Sequence, residues 1–148
     1  MSDYFIRFIP EDINANLSED EVNLIKKLNW DGNHPRFIFN ERVQFADAGQ
    51  NFECVKCRFC GINLMDWWGN AMSSAYSEEH GFVNLNVTTP CCNELTSLHD
   101  LAYDFPQGFY KTMIEVVPEA NSQIMVDEVA NCLLEITNKK WRVIHAHY

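Results

Sequence analysis

Apolar residues fall along this chain in short alternating runs and helical stripes, separated by turn-forming residues. Tyr4-Phe5-Ile6-Arg7-Phe8-Ile9, ended by Pro10, predicts a strand. The next segment carries a full helix-start signal: Ser18 as cap, Glu21 three residues on to complete a capping box, and Leu17 with Val22 as the hydrophobic staple. Val22, Ile25 and Leu28 give that helix an apolar stripe, and Asn29 to Gly32 should end it.

Beyond Pro35, Arg36-Phe37-Ile38-Phe39 and Val43-Gln44-Phe45 predict two short strands. Leu64, Met65, Trp68, Ala71, Met72 and Ala75 then recur at helical spacing, and Phe82-Val83-Asn84-Leu85-Asn86-Val87 alternates like a half-buried strand. The last third predicts a strand over Phe109 to Val117, a turn at Pro118, a helix over Ser122 to Thr137 and a strand over Trp141 to His147. Such a β-α-β unit usually crosses between parallel strands. The expected class is therefore α+β, a mixed sheet with packed helices, a cysteine-bearing insert and a C-terminal β-α-β unit.

No repeat, low-complexity tract or linker divides the 148 residues, so residues 1–148 are expected to form a single domain, with a distinct subregion at about 54–93. A chain of this length buries roughly 68–70% of its unfolded surface and does not need a metal merely to have a core. Met1-Ser2-Asp3 lacks the basic start and apolar stretch of a secretion signal, and no run reaches the length of a membrane span; a cytoplasmic location is expected. With 21 acidic against 11 basic residues the formal net charge is −10, and the cations are scattered rather than gathered into a stripe. That balance argues against nucleic acid as a partner and suits solubility or a protein partner with a basic surface.

Five of the six cysteines lie in two clusters, Cys54-Val55-Lys56-Cys57-Arg58-Phe59-Cys60-Gly61 and Pro90-Cys91-Cys92-Asn93. Dense thiols in a reducing compartment more often hold a metal than form disulfides. In Cys57-Arg58-Phe59-Cys60-Gly61 the two-residue gap lets both sulfurs reach one ion, and Gly61 tolerates positive φ, which frees backbone amides for the thiolates. This turn resembles the knuckle of zinc-ribbon proteins. It supplies half of a tetrahedral site, and Cys91 with Cys92 is the natural other half, giving Cys57, Cys60, Cys91 and Cys92 around Zn²⁺. Adjacent residues of a strand face opposite ways, so Cys91 and Cys92 converge only if the backbone turns there, and Pro90 and Asn93 provide turn chemistry. The zinc-ribbon pattern repeats its gap and glycine in the second half; this chain does not, which leaves Cys54 or His99 able to replace one of the adjacent pair. A closed thiolate shell leaves no open position for water, so the ion's role would be structural, and Lys56 and Arg58 could offset its excess negative charge.

Competing readings are weaker. Cys54, Cys57 and Cys60 begin an iron–sulfur run, but Leu64 stands where its fourth cysteine belongs. A redox Cys-x-x-Cys would open a helix of a thioredoxin-like unit, and Cys132 falls on the apolar stripe of the last helix, as a core residue would. His145 and His147 share one face of the final strand, where edge residues are the plain reading. The stretch from Ser97 to Phe109 carries His99, Asp100, Asp104 and Tyr103, an acid–base set or a turn-rich loop over packed aromatics. Trp67-Trp68 cannot both face one core from a helix, so one of them could make an exposed contact.

Ile9-Pro10-Glu11-Asp12, the knuckle, Thr89-Pro90-Cys91-Cys92, the Ser97 to Phe109 stretch and Ala146-His147-Tyr148 together give a chain that resembles a group of small bacterial cytosolic proteins. The resemblance implies no activity. With no phosphate-binding glycine loop, nucleophile elbow or metalloprotease motif, the leading expectation is a non-enzymatic, zinc-stabilised domain that binds another protein, for instance to neutralise a basic toxin. The alternatives are an acid–base or metal-dependent enzyme that uses His99 and Asp100 near the metal, or an iron–sulfur protein.

Overall fold

The computed structural model describes residues 3–148; Met1 and Ser2, part of the N-terminal reading above, lie outside the described residues. Its elements in chain order are β1 (Tyr4–Pro10), α1 (Glu19–Lys26), β2 (Arg36–Ala46), β3 (Val55–Lys56), α2 (Met65–Ala75), β4 (Tyr76–Ser77), β5 (Gly81–Phe82), β6 (Asn86–Thr88), β7 (Leu95–Ser97), a 3₁₀ turn (Leu98–Asp100), β8 (Ala102–Tyr103), β9 (Gly108–Val116), α3 (Val126–Thr137) and β10 (Trp141–His147). The fold is α+β.

Six strands form the main sheet in the order β10-β1-β9-β2-β5-β4, and each adjacent pair is antiparallel. The β9-α3-β10 unit does join parallel strands. They are not neighbours, because β1 lies between them and runs antiparallel to both. Alternation along the strands sends Ile6, Phe8, Ile114 and Val116 to one face, where Ile25 and Trp30 from the α1 side and Val129 and Leu133 of α3 cover them. Ile9, Met113 and Ile144 face the other way and pack with Ala46 and Ala48.

Local chemistry explains where the elements depart from expectation. The Ser18–Glu21 capping box forms as the sequence indicates, but α1 stops at Lys26, short of Asn29. The Trp30 indole donates to the Ile25 carbonyl at 2.9 Å, and Asp31 and Gly32 then adopt positive φ, so the chain leaves the helix early with its terminal carbonyls partly satisfied. Helix α3 starts at Val126 rather than Ser122, whose hydroxyl instead donates back to the Glu119 carbonyl and closes a turn. The two short strands after Pro35 are one strand, β2, interrupted by a bulge: between Phe39 and Gln44 it advances five residues while β9 advances two. Conversely, the alternating run from Phe82 to Val87 is split, because the Asn84 carboxamide accepts the Asn86 amide in a local turn.

The residues between β2 and β9, together with Phe109 of β9, build a second core of Val55, Cys57, Leu64, Leu85, Leu98, Leu101 and Phe109. Aromatic rings extend it: Trp68 lies 5.3 Å from Phe52 and 6.1 Å from Tyr103, centroid to centroid, and Phe45 lies 5.0 Å from Phe109. Trp67 and Trp68 are both half-buried, so neither makes the exposed contact expected of one of them; Trp68 also donates its indole N–H to the Tyr103 hydroxyl at 3.1 Å.

Candidate metal centre

Two short turns deliver the clustered cysteines. In the first, the Cys57 amide donates to the Ile62 carbonyl and the Gly61 amide donates to the Cys57 carbonyl, both at 2.9 Å, with Gly61 at φ 78°. A bridge between Lys56 and Asn63, and a 2.8 Å bond from the Leu64 amide to the Val55 carbonyl, continue the pairing outward. β3 also pairs with β8, so the strand that leads into this turn is paired along both of its edges.

The second turn closes the β6–β7 hairpin and repeats the same bonding. The Thr89 amide donates to the Glu94 carbonyl at 3.0 Å, the Asn93 amide donates to the Thr89 carbonyl at 2.9 Å, and Asn93 takes positive φ, 56°. In this six-residue frame Thr89 occupies the place of Cys57, Cys92 that of Cys60, and Asn93 that of Gly61. The first turn presents cysteines at its first and fourth positions, the second at its third and fourth. Buried Thr89 instead uses its hydroxyl to accept the Glu94 amide at 3.2 Å. The backbone therefore does turn between Cys91 and Cys92, as the convergence of adjacent side chains requires.

The outcome is a quartet in which the Sγ atoms of Cys57, Cys60, Cys91 and Cys92 all lie within 4.8 Å of one another, and those of Cys60 and Cys91 are 3.5 Å apart. Metal–sulfur bonds of about 2.3 Å in a tetrahedron require sulfur–sulfur separations of about 3.8 Å. The donor set thus fits a tetrahedral ion after shifts smaller than a bond length. Cys57 is buried, Cys92 half-buried, and Cys60 and Cys91 are exposed.

Electrostatics point the same way. Burial opposes ionisation of Cys57, but the amides of Cys60 and Phe59, followed by the thiols of Cys91 and Cys60, donate to its sulfur and bring its pKa down to about 6. Hydrogen bonding with Cys60, then burial, pushes Cys92 up to about 12, and burial followed by contact with Cys57 and Cys60 raises Cys91. Crowded thiols here concentrate negative charge on one sulfur and disfavour a second; a divalent cation removes that conflict. Of the two basic neighbours, Arg58 places its guanidinium 5.4 Å from the ring centroid of Phe59, and both Lys56 and Arg58 are exposed.

The other candidate ligands lie outside the quartet. Cys54 Sγ sits 4.0 Å from an Asp104 carboxylate oxygen. His99 is buried and fully engaged: its Nδ1 accepts the Phe109 amide at 2.9 Å, and its Nε2 lies 3.0 Å from the Glu11 carbonyl. Accepting at Nδ1 fixes the proton on Nε2, which donates to Glu11. Burial, and then the Arg142 charge, hold His99 below its ordinary pKa, so it is neutral. Asp100 is exposed beside it, and His145 and His147 lie on the edge strand β10, where the Tyr4 hydroxyl meets His145 Nδ1. Cys132 is half-buried on α3.

Arg142 was not singled out by any sequence signal, yet it joins these parts. Its Nε and Nη2 donate to both Glu11 carboxylate oxygens at 2.9 and 2.7 Å, and Nη1 donates to the carbonyls of His99 and Gln107 at 2.9 and 2.6 Å. Gly108 makes room for this: a Cβ there would stand 2.6 Å from Arg142 Nη1 and 2.8 Å from His99 Cε1. Both ring nitrogens of the candidate acid–base histidine thus face backbone groups, and its carbonyl faces Arg142.

Comparisons with protein-family models, with curated proteins and with solved structures returned no match. The likeness to small bacterial proteins drawn from the sequence therefore has no family model behind it, and what stands is the cysteine cluster, which could hold a metal.

Proposed function

We propose that this protein is a non-enzymatic, zinc-stabilised α+β domain that acts by binding another protein, and that Cys57, Cys60, Cys91 and Cys92 are the ligands of its structural Zn²⁺. The observation that carries the metal reading is the meeting of four sulfurs within 4.8 Å from turns on distant parts of the chain. A tetrahedral all-sulfur set suits zinc or iron, and with four protein ligands it leaves no position for substrate or activated water. His99, the strongest candidate for acid–base work, has both ring nitrogens committed to backbone groups, which supports a binding role over catalysis. Phe109 and Phe45, from the main sheet, pack into the core beneath the cysteines, in keeping with one domain over residues 1–148. A cytoplasmic location belongs with this reading, since reduced thiols persist there. Among the described residues no helix is long and apolar enough to cross a membrane.

The partner is a protein with a basic surface, in keeping with the net charge of −10, and nucleic acid is not expected. Elemental analysis with an absorption spectrum of freshly purified protein tests the metal: one zinc per chain and no visible band supports the proposal, and a coloured, iron-containing sample overturns it. Recovery of no stoichiometric partner from the native host would overturn the binding role.

A further inference from the structure

We propose that Cys60 and Cys91 are an oxidisable pair through which a hydroperoxide releases the metal. The inference deepens the zinc reading and rests on it. Two observations separate these two sulfurs from the rest of the quartet. Both are exposed, whereas Cys57 is 1% exposed and Cys92 is half-buried. Their separation of 3.5 Å leaves a short approach to a disulfide. They also stand on different turns, so the bond that joins them replaces the cross-link lost with the ion. Cys57, by contrast, is shielded and receives the Phe59 amide on its sulfur at 3.4 Å, which ties up electron density an oxidant would need.

The step balances with a hydroperoxide as the two-electron oxidant. One exposed thiolate attacks a peroxide oxygen; the S–O bond forms, the O–O bond breaks, and the departing oxygen takes a proton to leave as water or alcohol. The second thiolate attacks the resulting sulfenic sulfur, the S–S bond forms, and the S–O bond breaks with loss of hydroxide. Each sulfur is oxidised by one electron and the peroxide is reduced by two. Zinc then keeps only Cys57 and Cys92 and is no longer held in a closed shell.

The test uses the full chain carrying Cys54→Ser and Cys132→Ser, which leaves only the four site cysteines. The protein is treated with hydrogen peroxide while free zinc is followed with a chromogenic indicator, and the non-reduced tryptic and chymotryptic digest is analysed by tandem mass spectrometry. The expected result is release of about one zinc per chain, loss of about two thiols and a Cys60–Cys91 link, all reversed by a thiol reductant and zinc. Retention of zinc, a disulfide containing Cys57 or Cys92, or over-oxidation without a disulfide overturns the pair. A preparation with no zinc before treatment refutes the metal reading instead, and the peptide map of that same sample still decides the pair.

Discussion

Thermal stability should rise with the logarithm of free zinc, at a slope fixed by stoichiometry. Only the native fold brings Cys60 together with Cys91, 31 residues away, so the ion binds the native state far better than the unfolded chain. Once free zinc exceeds the dissociation constant, each tenfold increase adds about 1.4 kcal/mol to stability for one ion per chain. In a chain of 148 residues, a kilocalorie moves the melting temperature by about 2–4 °C, which gives about 3–6 °C per decade of free zinc. Melts in chelator-buffered zinc, from picomolar to micromolar, measure this directly. Cys60→Ser removes one of four sulfurs and should flatten the slope over that range. Cys54→Ser should leave it unchanged, because Cys54 lies outside the quartet, beside Asp104. A wild-type slope indistinguishable from zero, or an equal slope in Cys60→Ser, would refute the reasoning.

Acid should strip the metal, since protons compete with the ion for thiolates, and the loss should steepen below about 6, where the Cys57 thiolate itself is titrated. Zinc content after desalting across a pH series reads this, and full retention at pH 4 would contradict it. Acid should also weaken the fold through His99, whose pKa lies below its ordinary value. A group with a depressed native pKa contributes fully above its unfolded value of 6.5 and loses that contribution as pH falls through the native one. Urea melts of His99→Gln should therefore lack that part of the acid slope. Arg142→Met leaves the His99 and Gln107 carbonyls without their donor and should cost about 1–3 kcal/mol in the same assay; an unchanged midpoint would remove Arg142 from its joining role. At Gly61, Asn should be tolerated, because Asn93 holds the equivalent place at positive φ, whereas Gly61→Val should cost about 1–2 kcal/mol.

Sequence pattern sufficed where a local rule decides the structure. The Ser18–Glu21 box, the α2 stripe and the β10 limits are each set by residues within a turn or two of one another. It also brought out the four cysteines, because thiols are rare and their spacing carries the geometry of the turn. It failed where a distant group decides. The early end of α1 escaped it for another reason: Trp30 folds back onto the Ile25 carbonyl, a short-range contact that apolar periodicity does not signal. Nothing in the alternation from Phe82 to Val87 shows that its two ends pair with different strands. The place of β1 between β9 and β10 is likewise a matter of long-range pairing, so the β-α-β unit was legible and its neighbours were not.

His99 and the cysteines show how the same kind of signal separates into two fates. Both are polar groups that burial would penalise unless something satisfies them. For His99 the ring has one backbone donor and one backbone acceptor, and Arg142 donates to the histidine's own carbonyl. Both of its ring nitrogens are thereby occupied. For the quartet the fold supplies only part. Backbone bonds shape both turns and place the sulfurs, and amides stabilise one thiolate at Cys57, but the remaining thiols have mostly one another as partners. The turns are held by hydrogen bonds within each of them, so each turn places its own two sulfurs, and what a metal ion would add is closure between the two turns and the charge that lets neighbouring thiolates coexist. That incompleteness, absent at His99, is what a metal ion among the cysteines would make good.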